Sequence, residues 1–346
     1  MNYKNNIVQE DLKDLIENIK SFDIYKNKNI LITGANGMLA TYFIYLLMYL
    51  NDKKNMNIKI FALSRNREEM EKRFVKDNER GDLNLIVQDV CNKINIKENI
   101  DYIIHLASSA NPSTIISNPI DIIKSNIYGT FNVLDLAKEK NAEVIFSSTR
   151  EIYGKMPENV EFIKESDMGS LNCFDGRACY PESKRMAETI LVNYYIQYGV
   201  KFKNLRIAHT FGPGMKIEKD GRIMSDFIYD VVNKKDIVLK SDGSAKRAFC
   251  YITDAISAIV IIMEKGKECE AYNISNETEE ITIKNLAELL AKKYNTNVKY
   301  EIEENKGAYT NFKRVGLDNS KLEQLGWKPV VSLMDGIDRT VKSFEK

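Results

Sequence analysis

Histidine is almost missing from this chain: only His105 and His209 occur in 346 residues, far apart in the sequence. That scarcity argues against a histidine-based zinc site and against a Ser/His/Asp hydrolase; nothing calls for a metal. Five cysteines fall in no paired spacing, which argues against a disulfide framework and for a reducing compartment, the cytoplasm. Long apolar runs are lacking too. The longest, Met38 to Leu50, is too short for a bilayer and is interrupted by Thr41. The opening MNYKNNIVQEDLKDL has no apolar centre of the signal-peptide kind. Nor is one sign of charge in excess: 50 Lys plus Arg stand against 49 Asp plus Glu. No global field then directs the chain to nucleic acid or to a membrane surface.

What is present is the composition of an ordinary globular protein, 44% hydrophobic and 29% charged. The length suits about two compact units or one large α/β domain with an appended lobe. Short runs rich in Ile, Val and Leu predict strands at Asn29–Thr33, Lys59–Leu63, Leu83–Gln88, Tyr102–His105, Ala142–Ser147 and Asn204–Ala208. Helical stretches separate most of them, at 37–50, 66–76, 119–139 and 180–198. This alternation predicts a parallel, doubly wound sheet. Residues 1–27 read as a polar, weakly amphipathic helical extension, 28–210 as a dinucleotide-binding domain, and 211–346 mainly as a smaller α+β substrate lobe. In that lobe helices are expected at about 222–233, 253–264 and 282–293, with a closing helix from Leu333, and some chain is expected to return to the first domain. No linker rich in Pro, Gly or Ser separates the two, so the lobe should pack closely.

The first strand runs directly into Thr33-Gly34-Ala35-Asn36-Gly37-Met38-Leu39-Ala40 and then a helix. Two glycines three apart let the backbone turn tightly and approach a diphosphate. At a helix N-terminus, free N–H groups and the dipole favour that negative charge. The third small position, Ala40, still permits close helix–strand packing. An acid at the end of the second strand normally bonds the ribose 2′-hydroxyl of NAD, but here the strand ends Ala62-Leu63-Ser64-Arg65-Asn66. Arg65 either meets a 2′-phosphate, which would favour NADP, or is a solvated helix-start residue stacking on adenine. Asp89-Val90, after the third strand, either holds the adenine edge or caps a loop.

The fifth strand leads into Ser147-Ser148-Thr149-Arg150-Glu151-Ile152-Tyr153-Gly154, and a helix opens with Tyr180-Pro181-Glu182-Ser183-Lys184. Tyr and Lys four apart lie on one helical face. An ammonium beside a phenol favours the phenolate and lowers its pKa from about 10 toward neutrality. The result is a base able to take a hydroxyl proton while hydride leaves the same carbon. Cys179 adjoins this tyrosine, but with no histidine partner it reads as a small packing residue.

With these motifs the chain resembles the extended short-chain dehydrogenase/reductases, specifically the NAD-dependent epimerase/dehydratase family of nucleotide-sugar enzymes, from Asn29 to about Thr340. His105-Leu-Ala, Asn126-Ile-Tyr-Gly-Thr, Arg206-Ile-Ala-His-Thr-Phe-Gly-Pro, Asp220-Gly-Arg and Arg247-Ala-Phe-Cys-Tyr-Ile-Thr-Asp add to the likeness. Within the family the motifs are most similar to those of UDP-glucuronate decarboxylases. The resemblance implies a Rossmann-like fold and a bound nicotinamide cofactor, NAD with NADP not excluded, that oxidises sugar C4. It implies that Thr149 bonds the C4 oxygen, Tyr180 is the base and Lys184 holds the nicotinamide ribose. Further cofactor contacts are expected at Gly34, Asn36, Gly37, Met38 and Leu39, at Arg65, Asp89 and Val90, and at Leu106 and Ala107. Arg222 and Arg247 would grip the nucleotide diphosphate; His209 stands where the family usually has Asn near that group, and either donates one hydrogen bond in the same way or reflects a different sugar or nucleotide. A homodimer through helices 119–139 and 180–198 is typical.

One departure stands out. Sugar 4,6-dehydratases follow the active-site Thr with an Asp and then a Glu. Glu151 matches the latter, but Arg150 replaces the acid, and a guanidinium cannot donate a proton at neutral pH. Arg150 either pairs with a substrate carboxylate, as a uronate offers, or serves a neighbouring loop. The expectation is therefore C4 oxidation followed by decarboxylation. The alternatives are 4-epimerisation, 4-dehydrogenation or 4,6-dehydration and, from another class, a non-catalytic dinucleotide sensor.

Overall fold

The computed structural model describes residues 2–74, 80–302 and 316–345. Five strands, β1 (Asn29–Thr33), β2 (Lys59–Ser64), β3 (Leu83–Val87), β4 (Tyr102–His105) and β5 (Glu143–Thr149), form most of the main sheet. Phe202–Ile207 and Glu270–Ile274 complete it as seven strands. From one edge the order is Glu270–Ile274, Phe202–Ile207, β5, β4, β1, β2, β3, and every pairing is parallel. This is the doubly wound, Rossmann-like sheet that the alternation predicts. Strand order reverses between β1 and β4, which leaves a crevice beyond their carboxyl ends. Register aligns those ends, with Thr33 opposite both Leu63 and His105.

Helices cover both faces. The sequence order continues with α1 (Asn6–Asn18), α2 (Met38–Lys54), α3 (Arg67–Phe74), α4 (Pro112–Ser117), α5 (Pro119–Lys140) and α6 (Cys179–Tyr198). On one face Val133, Leu134, Ala187 and Leu191 of α5 and α6 pack on Leu31, Ile103 and Val144. On the other, α2 and the helix Ile252–Lys265 pack on the sheet. The predicted helix 66–76 is α3, and its positions 75 and 76 lie outside the described residues. Beyond the sheet, helices Ile223–Val232, Ile283–Tyr294 and Leu333–Lys342 and two-stranded ribbons make up the rest. Among the described residues no helix is long and apolar enough to cross a membrane.

The N-terminal region differs from the expected helix over 1–27. The helix is only Asn6–Asn18, started by Asn5, whose side chain accepts from the Ile7 and Val8 amides. Ile19 turns extended, and Phe22 and Tyr25 then anchor the following turn in the core. The reason lies in α2, whose residues Ala40 to Leu50 are all buried. A helix apolar all round must be covered all round, and Val8, Leu12 and Leu15 of α1 provide part of that cover. Asp11, fully buried on α1, accepts from Tyr42 Oη and Tyr251 Oη at 2.7 Å each and from Arg339 Nη1 at 2.7 Å.

Candidate functional site

The turn after β1 is built for close backbone approach. Gly34 sits at φ +72°, and a Cβ there would lie 2.8 Å from Ala107 Cα, so only glycine fits. The Gly37 amide donates to Gly34 O at 2.8 Å, and Gly37 then caps α2 with no side chain over its first amides. Met38 and Leu39 open the helix, half-buried. Asn36 donates to Ser64 Oγ (2.8 Å) and Asn66 O (3.1 Å). Its Oδ1 is buried with no hydrogen-bond partner among the described residues, as is Ser108 Oγ just beyond Leu106 and Ala107. A bare glycine turn, open helix amides and two orphaned polar atoms fit a dinucleotide.

Around this turn the other expected cofactor positions gather. Thr33 Oγ1 accepts from the Ala107 amide at 3.3 Å and is hydrogen-bonded to His105 Nδ1 at 2.7 Å. Burial, with Lys184 nearby, pushes the His105 imidazole down to about 3, so it is neutral and structural. Arg65 and Asp89 face each other across β2 and β3, Nη1 to Oδ2 at 3.8 Å, with most of the arginine exposed. Asp89 Oδ1 also accepts from the Cys91 amide at 2.8 Å. Val90 is buried against α5 at Gly129.

The second cluster sits where β5 ends and α6 begins. Thr149 caps the short turn Arg150–Tyr153 by accepting from the Glu151 amide at 3.2 Å. Its side chain is also hydrogen-bonded to Tyr180, which is buried. Burial and the Glu151 carboxylate push the phenol above its ordinary value, while Thr149 and Arg177 pull it down. The expected shift toward neutrality is thus not the state of this site. Lys184 lies one helical turn away, but its Nζ donates to Ser147 O at 2.6 Å and sits 4.6 Å from the Phe146 ring centroid. Burial pushes that amine down to about 7. Cys179 packs with Ile115, Ile122 and Tyr180.

Glu151 retains about a third of its side chain in solvent and pairs with Arg177, Oε1 to Nη2 at 3.1 Å. Burial raises its carboxyl, opposed by Arg177 and then Arg150. Arg177 is a residue to which the sequence pattern assigns no role, although Arg177-Ala-Cys-Tyr is part of the likeness to UDP-glucuronate decarboxylases. Its one sequence signal is its place there, three residues before Tyr180. A further unforeseen network lies behind the cluster: Arg206 pairs with Glu188 at 2.8 Å and donates to Tyr153 Oη at 3.0 Å. Tyr153 in turn donates to Asn273 Oδ1 at 2.6 Å, which ties the cluster's floor to the edge strand.

The lobe residues are held on separate elements. Arg222 grips Asp220 (Nη2 to Oδ2, 2.7 Å), and Asp220 accepts from Asn111 Nδ2 at 2.8 Å, in the loop after β4. His209 is exposed, its ring 5.9 Å from that of Phe249. Beside the ribbon between Thr210–Phe211 and Cys250–Tyr251, His209 O accepts from the Cys250 amide at 3.0 Å, on the segment that follows Arg247, whose Nη1 donates to Lys246 O at 2.7 Å. The structure therefore joins His209 to the Arg247 segment and leaves Arg222 with the β4 loop.

Comparison with known proteins identifies the family and the fold. The model of the NAD dependent epimerase/dehydratase family matches residues 30–275. UDP-glucuronic acid decarboxylase 3 of Arabidopsis thaliana is 32% identical over 318 residues, 92% of this chain and 89% of its own. A solved UDP-N-acetylglucosamine 4-epimerase from Methanobrevibacter ruminantium, in complex with UDP-N-acetylmuramic acid, is 25% identical with a TM-score of 0.78. The match covers 92% of this chain and 98% of that one. A UDP-glucuronic acid 4-epimerase from Bacillus cereus, in complex with UDP-glucuronic acid and NAD, shares the fold at 20% identity and a TM-score of 0.76, covering 91% and 98%.

Proposed function

The chain belongs to the NAD dependent epimerase/dehydratase family, and from that premise we propose that it is a UDP-glucuronate decarboxylase. The observation that carries the reading is the joining of Thr149, Glu151, Tyr180 and Arg177 at the end of β5. NAD, seated on the Gly34–Leu39 turn, would supply the hydride acceptor for sugar C4. Tyr180 takes the C4 hydroxyl proton while Thr149 holds the same oxygen. The phenol needs positive charge beside it to ionise; Arg177 already pulls in that direction, and Lys184, one turn along α6, would add to it in its protonated form. Lys184 would also hold the nicotinamide ribose.

A ketone at C4 makes the C6 carboxylate a β-keto acid. As carbon dioxide leaves, the electrons of the C5–C6 bond move onto the C4 oxygen, where Tyr180 and Thr149 donate to the developing enolate. Glu151, its carboxyl raised by burial, returns a proton to C5. Tyr180 then gives its proton back to the C4 oxygen as hydride returns from the cofactor to C4, so the cycle closes on a UDP-pentose with no net change of redox state. Arg222, Arg247 and His209 are assigned to the diphosphate, for which guanidinium geometry is suited. Incubation with UDP-glucuronate and NAD, followed by anion exchange and mass detection, should give the UDP-pentose formed by loss of carbon dioxide. A product of unchanged mass, or conversion of UDP-glucose to a 4-keto-6-deoxy sugar, overturns the reading.

The assembly we propose is a homodimer through α5 and α6. Ile120, Ile123, Tyr128 and Phe131 recur at helical spacing along α5, and Met186, Val192, Ile196 and Tyr198 lie on α6, all exposed. Two adjacent helices with such a surface suit a second copy of the same face. Five unpaired cysteines are in keeping with a cytoplasmic home.

A further inference from the structure

Arg177 carries a donor with nothing to bind. Its Nη2 is held by Glu151 at 3.1 Å, whereas its Nη1 is buried and has no hydrogen-bond partner among the described residues. A buried guanidinium N–H left unpaired is costly, and native structures rarely keep one without a reason. The arginine is not adrift: Asp175 caps its turn, accepting from the Arg177 amide at 2.9 Å. The chain enters α6 two residues later, and Tyr180 is that helix's second residue. Tyr180 is hydrogen-bonded to Thr149 and feels the charges of both Glu151 and Arg177. The unpaired donor therefore stands among the groups that surround the reacting sugar, with one prong fixed and one open.

We propose that Arg177 Nη1 receives the acidic group of the substrate, the C6 carboxylate of a uronate, and so sets the preference of this site for an acidic over a neutral sugar. The assignment rests on the decarboxylase reading above and refines it, since the sequence pattern pointed instead to Arg150. Arg150 opens the turn that carries Glu151 and acts on that carboxyl; Arg177 is the guanidinium whose open donor lies beside it. Because Nη2 is committed to Glu151, the grip on substrate is single-pronged. That suits a carboxylate which must later leave as neutral carbon dioxide, because a two-pronged clamp would hold the charge in place.

Calorimetric titration of the NAD-loaded protein with UDP-glucuronate and with UDP-glucose tests this directly. Arg177→Met should lose about ten- to a hundredfold in affinity for UDP-glucuronate and stay within about twofold of the wild type for UDP-glucose. Arg177→Lys, which keeps a positive charge on a shorter reach, should recover part of the loss for the acidic ligand only. If Arg177→Met does not fold, as judged by NAD content and melting, Arg177→Gln carries the same comparison. Equal losses for both ligands, or no loss for either, would show that Arg177 merely props Glu151 and would overturn the assignment. The two readings fail differently. Wild type that neither prefers nor decarboxylates UDP-glucuronate removes both, whereas wild type that decarboxylates it while Arg177→Met binds both ligands normally removes this one alone.

Discussion

Replacing Asp11 with alanine should destabilise the whole molecule, although the residue lies in an N-terminal helix remote from any chemistry. Its carboxylate is completely buried and takes hydrogen bonds from Tyr42 on α2, Tyr251 before helix Ile252–Lys265, and Arg339 on the C-terminal helix. Removing it strands two tyrosine hydroxyls in the core, at about 1–3 kcal/mol each. The Arg339 share must be discounted, since that side chain is 30% exposed and keeps Asp14 at 2.9 Å. Together these give about 3–5 kcal/mol, the usual range for breaking a buried ion pair from one side. Asp11→Asn should cost less, because its amide oxygen can face Arg339 while its NH2 donates to the tyrosine oxygens. Urea unfolding followed by circular dichroism reads both variants at a common slope. If Asp11→Ala unfolds within about 0.5 kcal/mol of wild type, the carboxylate is not the joint between α1, α2 and the C-terminal helix that the geometry describes.

Tyr180→Phe keeps the ring but not the ionisable oxygen. It should bind UDP-glucuronate normally while turnover falls by about two to four orders of magnitude; steady-state kinetics beside calorimetry decides this, and unchanged turnover refutes it. Lys184 gives a pH prediction. Burial lowers its pKa from 10.5 to about 7, so the fold favours the neutral amine, and the contribution present above the unfolded value is lost as pH falls through about 7. Lys184→Met should therefore flatten the fall in melting temperature between pH 9 and pH 7, and a parallel slope in wild type and variant would count against it. Ile196→Glu with Phe131→Glu should convert a dimer to monomers in native mass spectrometry, and a dimer that survives both changes places the interface elsewhere.

The edge strand Glu270–Ile274 was not among the strands expected, whereas the other six of the main sheet were legible because their signals are local. Each strand is a short apolar run, and Gly34 and Gly37 announce a turn whose need for glycine is set within a few residues and by Ala107 packed against it. What could not be read is what depends on distant chain. Asp11 looks like a solvent residue on a polar helix, and only the arrival of Tyr42, Tyr251 and Arg339 makes it a buried hub. The pairing of Glu151 with Arg177 joins a strand end to a helix start, and no spacing encodes it. Spacing did put Tyr180 and Lys184 on one face, but i, i+4 fixes where side chains leave the helix, not where their tips go. Lys184 spends its hydrogen bond on Ser147 O.

Burial then decides the charge state that proximity alone suggested. Tyr180 is raised, Glu151 is raised and Lys184 is lowered, in each case chiefly by loss of water. All three shifts favour the neutral form: they keep the proton on Tyr180, favour it on Glu151 and draw it from Lys184. A base that rests protonated becomes effective only when charge of the right sign enters its surroundings. Substrate and cofactor both bring charge into such a pocket, and the low dielectric that penalises isolated ions magnifies each new pairing. The same burial that seems to disarm Tyr180 thus couples its ionisation to occupancy, which keeps proton transfer from running ahead of binding.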